Sequence, residues 1–469
     1  MLSFTHAPLS LCDGRSRREA LRVGGLSALG LNLAGLNSGR AALASVGPRT
    51  DQSPGFGSAK SVILLWLLGG PPQHETWDPK PLAPQEIRGE FGWIESVVPG
   101  LRVGELMPRT AMHTDKLSVL RAVVTKDQAH SSSGYQMLTG VPHQPLSQEN
   151  VVSKAPNLSP SHGAIMRALR PDRDGLPSAI TIPKHIANDG EIIWPGQTAG
   201  VLGRQFDPWL ITCDPSQPDF QIPDLSLPAE ISGARFDARR QLLASLDTVR
   251  QRAEIASTGR FGHHARQAFD MLSGRAAKRA FEMTEESPAM RDRYGRNRFG
   301  QSVLLARRLV EAGVSLVQVN WTKVEEVKNN GSWDTHNNHF QDLKHLMPRM
   351  DQAYSALLED LQERGLLDET LVVWIGEFGH TPKINGNAGR DHWGNCFSIA
   401  LGGAGVRQGC VHGESDGHAA FPLSGGVSAA DVTATIFHCL GYSPETLLQD
   451  QTGRPFPLVR GNVISEILG

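Results

Sequence analysis

The chain has 469 residues, 46 basic and 48 acidic side chains and a formal charge of −2, and 39% of its residues are hydrophobic. This balance fits a soluble globular protein and argues against a dedicated nucleic-acid binder, which needs a basic excess to neutralise phosphates. The five cysteines, Cys12, Cys213, Cys396, Cys410 and Cys439, show no CxxC spacing, which argues against a thiolate zinc site.

The first 44 residues read as an export signal. Arg15, Arg17 and Arg18 precede a mildly apolar run, Val23 to Leu36, and small residues end at Ala44. Arg17-Arg18 followed by Leu21 fits a twin-arginine signal, which implies the twin-arginine export machinery as a partner. Cys12 leaves with that signal. The apolar run is short for a membrane span, and no later segment has the length of one. A periplasmic or secreted protein without a transmembrane segment in its mature form is expected. A linker rich in Gly, Ser and Pro follows, residues 45–57. The four remaining cysteines pair as disulfides or sit as buried small hydrophobes, and a chain this long has a core that favours the second.

The next elements alternate. Continuous apolar runs at Ser61–Leu68, Lys116–Val124, Ser178–Pro183, Val314–Asn320 and Thr370–Gly376 predict strands covered on both faces. Residues 234–312 turn helical and arginine-rich, with acidic residues interleaved, and read as a solvated helical insertion. Met347, Met350, Tyr354, Leu357, Leu358 and Leu361 fall near one face of a long amphipathic helix. The alternation predicts an α/β fold with a mainly parallel sheet, in which ligands gather beyond the carboxyl ends of the strands.

Four polar clusters lie at such positions. They are His74, Glu75 and Asp78; Asp127 and His130 to Ser133; Asp334, His336 and His339; and Glu377, His380, Lys383, Arg390, Asp391 and His392. Carboxylates with imidazoles suit divalent metals. Ser131 to Ser133 offer a nucleophile that a metal or a base must activate, or else cap a helix. Lys383 and Arg390 clamp an anionic group or remain surface charges. The arm GHTPKINGNAG is expected to be flexible, returning Arg390 and His392 over the strand that ends at Glu377.

The segments GGPPQHETWDPKP, RGEFGWIESVVPG, LLARRLVEAGVSLVQV, SWDTH, LLDETLVVWIGEFGHTPKING, GRDHWG and TGRP resemble an exported bacterial family, domain of unknown function fifteen-oh-one, often labelled sulfatase-like. The resemblance spans residues 58–467. It implies the alkaline phosphatase superfamily and a three-layer α/β/α fold around a mainly parallel central sheet. It also implies two divalent ions, with Zn, Mn, Ca and Mg not distinguished. Asp334, His336 or His339, and His392 would hold one ion. Glu377, with Asp78 or His74 and with His130, would build the second position. His130, Ser131 and Ser132 would be catalytic, with one of Ser131 to Ser133 or a metal-bound water attacking, and Lys383 and Arg390 would bind an anionic ester, such as a sulfated or phosphorylated carbohydrate. There are departures from the pattern: Gly69-Gly70 stands where a metal aspartate normally follows the first strand, and Glu377-Phe378 replaces Asp-His. The nucleophile segment has neither the Cys nor the Arg of sulfatases, which argues against an aldehyde mechanism. Two functions follow: a metal-dependent hydrolase of phosphate or sulfate esters, or an inactive superfamily member that binds metal or glycan.

Overall fold

The computed structural model describes residues 53–222 and 275–469 apart from 174, 189, 190 and 329, and between these stretches only residues 235, 238, 239, 241 and 242. The expected export signal, most of the linker and much of the 234–312 insertion lie outside the described residues.

Among the described residues, nine strands form the central sheet. In chain order they are β1 (Ser61–Trp66), β2 (Leu117–Val124), β3 (Ala179–Ile182), β4 (Trp209–Leu210), β5 (Leu316–Asn320), β6 (Thr370–Ile375), β7 (Phe397–Gly403), β8 (Cys410–His412) and β9 (Val427–Ser428). The spatial order is β8-β2-β7-β6-β1-β5-β3-β4, and β9 also pairs with β2. Every pair is parallel except the two that β7 makes with β2 and β6.

The alternation of side chains along β1 shows why its run is continuously apolar. Ile63 and Leu65 enter one core, and Val62, Leu64 and Trp66 enter another on the opposite face. Two helices cover the first face, α3 (Arg298–Glu311) and α4 (His339–Glu363). Three cover the second: α1 (His130–Thr139), α2 (His162–Leu169) and α5 (Ala429–Cys439). Helices of the two faces therefore interleave along the chain. Met347, Met350, Tyr354, Leu357, Leu358 and Leu361 are all fully buried, as the amphipathic pattern requires. At roughly 1.5–3 kcal/mol per fully buried apolar side chain, that stripe rather than intrinsic propensity holds α4 in place.

Cys213, Cys396 and Cys439 are buried free thiols and Cys410 is a half-buried one, so the described cysteines act as small hydrophobes. Burial pushes the three buried thiols up to about 12. Among the described residues no helix is long and apolar enough to cross a membrane.

Candidate metal centre

The carboxyl ends of the parallel strands meet at one edge, and the polar clusters gather there. The chain reaches His130 after β2, Asp334 after β5 and Glu377 after β6. His392 lies just before β7, and because β7 runs antiparallel its amino end falls at the same edge. The arm from Glu377 to His392 closes as a short ladder in which His392 pairs with His380 and Trp393 with Gly379.

That arm is anchored rather than flexible. Asn385 Nδ2 donates to the His336 carbonyl at 3.0 Å and to Asp391 Oδ1 at 3.2 Å. The backbone N–H of Arg390 donates to the Thr335 carbonyl at 3.1 Å. Gly389 passes so close that a Cβ there would stand 1.9 Å from the His336 carbonyl oxygen. Only glycine permits that approach.

Asp334 is the hub of the centre. His336 Nε2 and His392 Nε2 each lie 2.9 Å from Asp334 Oδ1, and 3.0 Å from one another. A point about 2.1 Å from all three atoms, the usual metal–ligand distance, would see each pair at roughly 90°. Each imidazole is also held from behind. His336 Nδ1 donates to Asp391 Oδ1 at 2.7 Å, and His392 Nδ1 donates to the Gln128 carbonyl at 2.8 Å. Such outer contacts fix the tautomer that leaves Nε2 free to bind a cation.

His130, the first residue of α1, faces the same hub. Its Nε2 lies 3.2 Å from Asp334 Oδ2 and its Nδ1 2.9 Å from Glu377 Oε1. Trp194 stacks on it with ring centroids 5.6 Å apart. Burial disfavours a charged His130, but hydrogen bonds to Asp334 and Glu377 outweigh that and push its pKa up to about 10. The hydrogen bond to Asp334, opposed by burial and helped by Asp391, raises His336 to about 9. Burial opposes ionisation of Asp334, yet the three imidazoles hold its carboxyl far below the usual carboxylate range. The centre therefore demands positive charge, which protons or a metal ion can supply.

The first strand contributes backbone rather than an acid. The Gly69 N–H donates to Glu377 Oε1 at 2.7 Å. Gly69 has φ +104°, and a Cβ there would stand 2.2 Å from the Asp334 backbone nitrogen. This is the physical reason for Gly69-Gly70 directly after the strand.

A model of the family described as Protein of unknown function (DUF1501) matches residues 59–468. The chain belongs to this family. No curated protein matches the chain. Among solved structures, the phosphonate monoester hydrolase of Agrobacterium radiobacter is 11% identical, covering 86% of this chain and 76% of that one, with TM-score 0.38. A sulfatase from Pseudoalteromonas sp. is 12% identical over 84% of this chain and 68% of that one, TM-score 0.37. The lipoteichoic acid synthase LtaP from Listeria monocytogenes is 9% identical over 90% and 80% respectively, TM-score 0.38.

In this DUF1501 chain the remaining candidates separate from the hub. Arg390 is fully buried and bonds Glu75 Oε1 at 2.7 Å, and its NH groups also donate to the carbonyls of Ile87, Thr381 and Pro382. His339 turns away from Asp334, with Nδ1 at 2.6 Å from Thr335 Oγ1 and Nε2 at 3.4 Å from Glu75 Oε2. His74 Nε2 donates to the His418 carbonyl at 2.8 Å, and burial, helped by the Arg390 charge, lowers it to about 4. Asp78 pairs with Lys80 at 3.0 Å and with Ser415. Burial and the nearby His339 also hold His380 well below the ordinary imidazole range. Lys383 is exposed. The guanidinium thus belongs to a buried ion pair and does not line the cleft over the hub.

Ser131, Ser132 and Ser133 are all buried within α1. Ser132 Oγ donates to Asp127 Oδ1 at 2.8 Å, and Ser133 Oγ donates to the Glu377 carbonyl at 2.6 Å. Asp127 also accepts the Ala129 N–H at 3.1 Å, securing the start of the helix. Ser131 Oγ lies 3.4 Å from Asn188 Nδ2.

A cleft of about 360 Å³ opens over the hub, bounded by His130, Glu149, Asn188, Lys323, Asp334 and His392. Glu149, Asn188, Lys323 and Trp194 are the residues that sequence reasoning missed. None belongs to a motif; Lys323 and Asn188 do follow the ends of β5 and β3 but without an imidazole or carboxylate beside them in a recognisable pattern, and Glu149 and Trp194 sit in loops away from a strand end. Glu149, His130 and His392 each offer a ligand atom within 4.8 Å of the others, as do Asp334, His336 and His392.

Proposed function

We propose that the chain is a metal-dependent hydrolase of phosphate or sulfate esters, exported in folded form. The observation that carries this reading is the Asp334–His336–His392 triangle, with each imidazole braced from behind. Two imidazoles and one carboxylate favour Zn²⁺ or Mn²⁺ over Ca²⁺ and Mg²⁺, which prefer oxygen donors throughout. The other group of three, His130–Glu149–His392, shares His392 with the first, so the reading takes one ion where the family resemblance implies two. Bound there, the ion would act as a Lewis acid on an ester oxygen and make water more acidic.

The chain's own residues do the rest. Glu377 orients His130 through Nδ1, and Nε2 stands against Asp334 Oδ2 at the hub, beneath the cleft that His130 helps to line. A protonated His130 donates to a departing ester oxygen and then accepts a proton from water. The substrate is an anionic ester, with a sulfated or phosphorylated carbohydrate as the class an exported enzyme would meet.

The test is elemental analysis of the purified chain and of Asp334→Ala, alongside hydrolysis of nitrophenyl phosphate, sulfate and phosphonate esters. A bound transition metal that is lost in the variant, together with turnover that needs it, is expected. A wild-type protein that takes up neither Zn²⁺ nor Mn²⁺ would sink the reading. Export is tested separately by fusing residues 1–57 to a reporter and replacing Arg17 and Arg18 with Lys, which should stop translocation.

One observation favours a second reading, a non-catalytic member that binds metal or glycan. The Ser132 and Ser133 hydroxyls are engaged within the fold, and Arg390 is neutralised by Glu75. Metal binding without turnover of any ester would select it.

A further inference from the structure

We infer that Glu149 is a charge gate that restricts the site to singly charged esters and disfavours doubly charged ones; this rests on the hydrolase reading above. Glu149 belongs to an exposed loop after α1, yet its carboxylate is held in place. One oxygen accepts the backbone N–H of His130, and the other accepts Asn188 Nδ2 at 3.0 Å. Asn188 is in turn fixed by Trp194 and by Asn150 Oδ1 at 2.8 Å. The carboxylate therefore stands at the mouth of the cleft, within 4.8 Å of ligand atoms on His130 and His392.

The charge around it is lopsided. Asp334, Glu377 and Asp391 already lie at or behind the imidazoles. Glu377 Oε2 is buried and has no hydrogen-bond partner among the described residues. Lys323 is the only lysine or arginine among the described residues lining the cleft. Lys184, which does not line the cleft, lies within charge range of Lys323 and Arg298, and Glu191 opposes them at Lys184. Arg390 is engaged by Glu75. One divalent ion leaves such a site with little net positive charge. A ligand carrying one negative charge, a sulfate monoester or a phosphate diester, meets the ion without strong repulsion. A phosphate monoester carries close to two at neutral pH and meets Glu149 with both. A fixed like charge at the entrance discriminates between the two more than it alters binding of either neutral part.

The experiment measures binding first, so that it stands apart from catalysis. Phenyl sulfate and phenyl phosphate are titrated by calorimetry into the Zn²⁺-loaded full chain, into Glu149→Gln and into Glu149→Asp. Wild type should bind phenyl sulfate more tightly than phenyl phosphate. Glu149→Gln, which keeps the shape and removes the charge, should narrow that ratio by about tenfold or more. Glu149→Asp should keep the preference. Wild type that prefers phenyl phosphate, or a ratio unmoved in Glu149→Gln, overturns the gate. Loss of Zn²⁺ from Glu149→Gln also overturns it, by making Glu149 a metal ligand. Turnover of nitrophenyl sulfate and nitrophenyl phosphate by the same samples then judges the hydrolase reading. Binding that follows the expected ratio without any turnover would defeat that reading and leave the gate standing.

Discussion

Two clusters that join a carboxylate to imidazole lie near one edge of the sheet and differ in what else they contain and in what surrounds them. Around Asp334, three imidazoles converge on a carboxylate that opens into a cleft. Around Glu75, a carboxylate, His339 and Arg390 close on one another, and all three are buried. In the first, positive charge is invited. In the second it is already present, because the guanidinium holds Glu75 far below the usual carboxylate range against the effect of burial. Burial and a built-in cation convert a would-be ligand set into a structural ion pair. Composition cannot separate the two; the direction each side chain takes does.

The comparison breaks most sharply at Asp334. Asp334→Ala should abolish metal uptake and lower kcat/KM by at least about a thousandfold while the fold survives, checked by metal analysis and circular dichroism. Arg390→Ala should do the reverse. It leaves Glu75 buried without its partner and should lower unfolding free energy by about 3–5 kcal/mol in urea titrations, with the metal content of the folded fraction intact. Equal metal loss in both variants would erase the distinction.

A smaller effect concerns acid. Burial holds His162, whose Nε2 lies 2.9 Å from Thr433 Oγ1, down to about 4 from an ordinary 6.5. The unfolded chain takes up this proton first as pH falls. Stability is therefore whole above pH 6.5 and is lost as pH falls toward 4. The loss is at most about 3 kcal/mol from this group, and buried His74 adds to it with the same sign. Replacing His162 with Asn should flatten that stretch of the stability–pH curve. Metal uptake should instead strengthen with rising pH, because an ion must displace protons from His336, raised to about 9. The smallest change is Asp391→Asn, which loosens the brace behind His336 and should cost about 10–100-fold in metal affinity.

Much of the fold was legible. The runs Ser61–Leu68, Lys116–Val124, Ser178–Pro183, Val314–Asn320 and Thr370–Gly376 became β1, β2, β3, β5 and β6, because a strand buried on both faces must be apolar throughout. The run Phe397–Gly403 escaped notice, since Ser398 and two terminal glycines dilute it, although among the described strands of the sheet only β7 reverses direction. Asp334, His336 and His392 were legible as a set because strand ends and imidazoles mark them. The partnership of Arg390 with Glu75 spans 315 positions and leaves no local trace. Glu149 was invisible for a similar reason: a polar residue in a polar loop looks like any other until the loop's path is known.

The reversed strand β7 has a mechanical consequence. It alone joins β2, which leads to His130, to β6, which leads to Glu377. Its pairing with β2 is interrupted by an irregularity between Phe397 and Ile399, just beyond the ladder that holds His392. A slip of two residues keeps the inward and outward faces correct, yet it displaces one half of the sheet by about 7 Å against the other. That is more than three times the length of a metal–ligand bond. The hydrophobic core would tolerate such an error far better than the hub would. Metal retention therefore serves as a gauge of assembly, reporting whether the two halves of the molecule have been seated against each other in the right alignment.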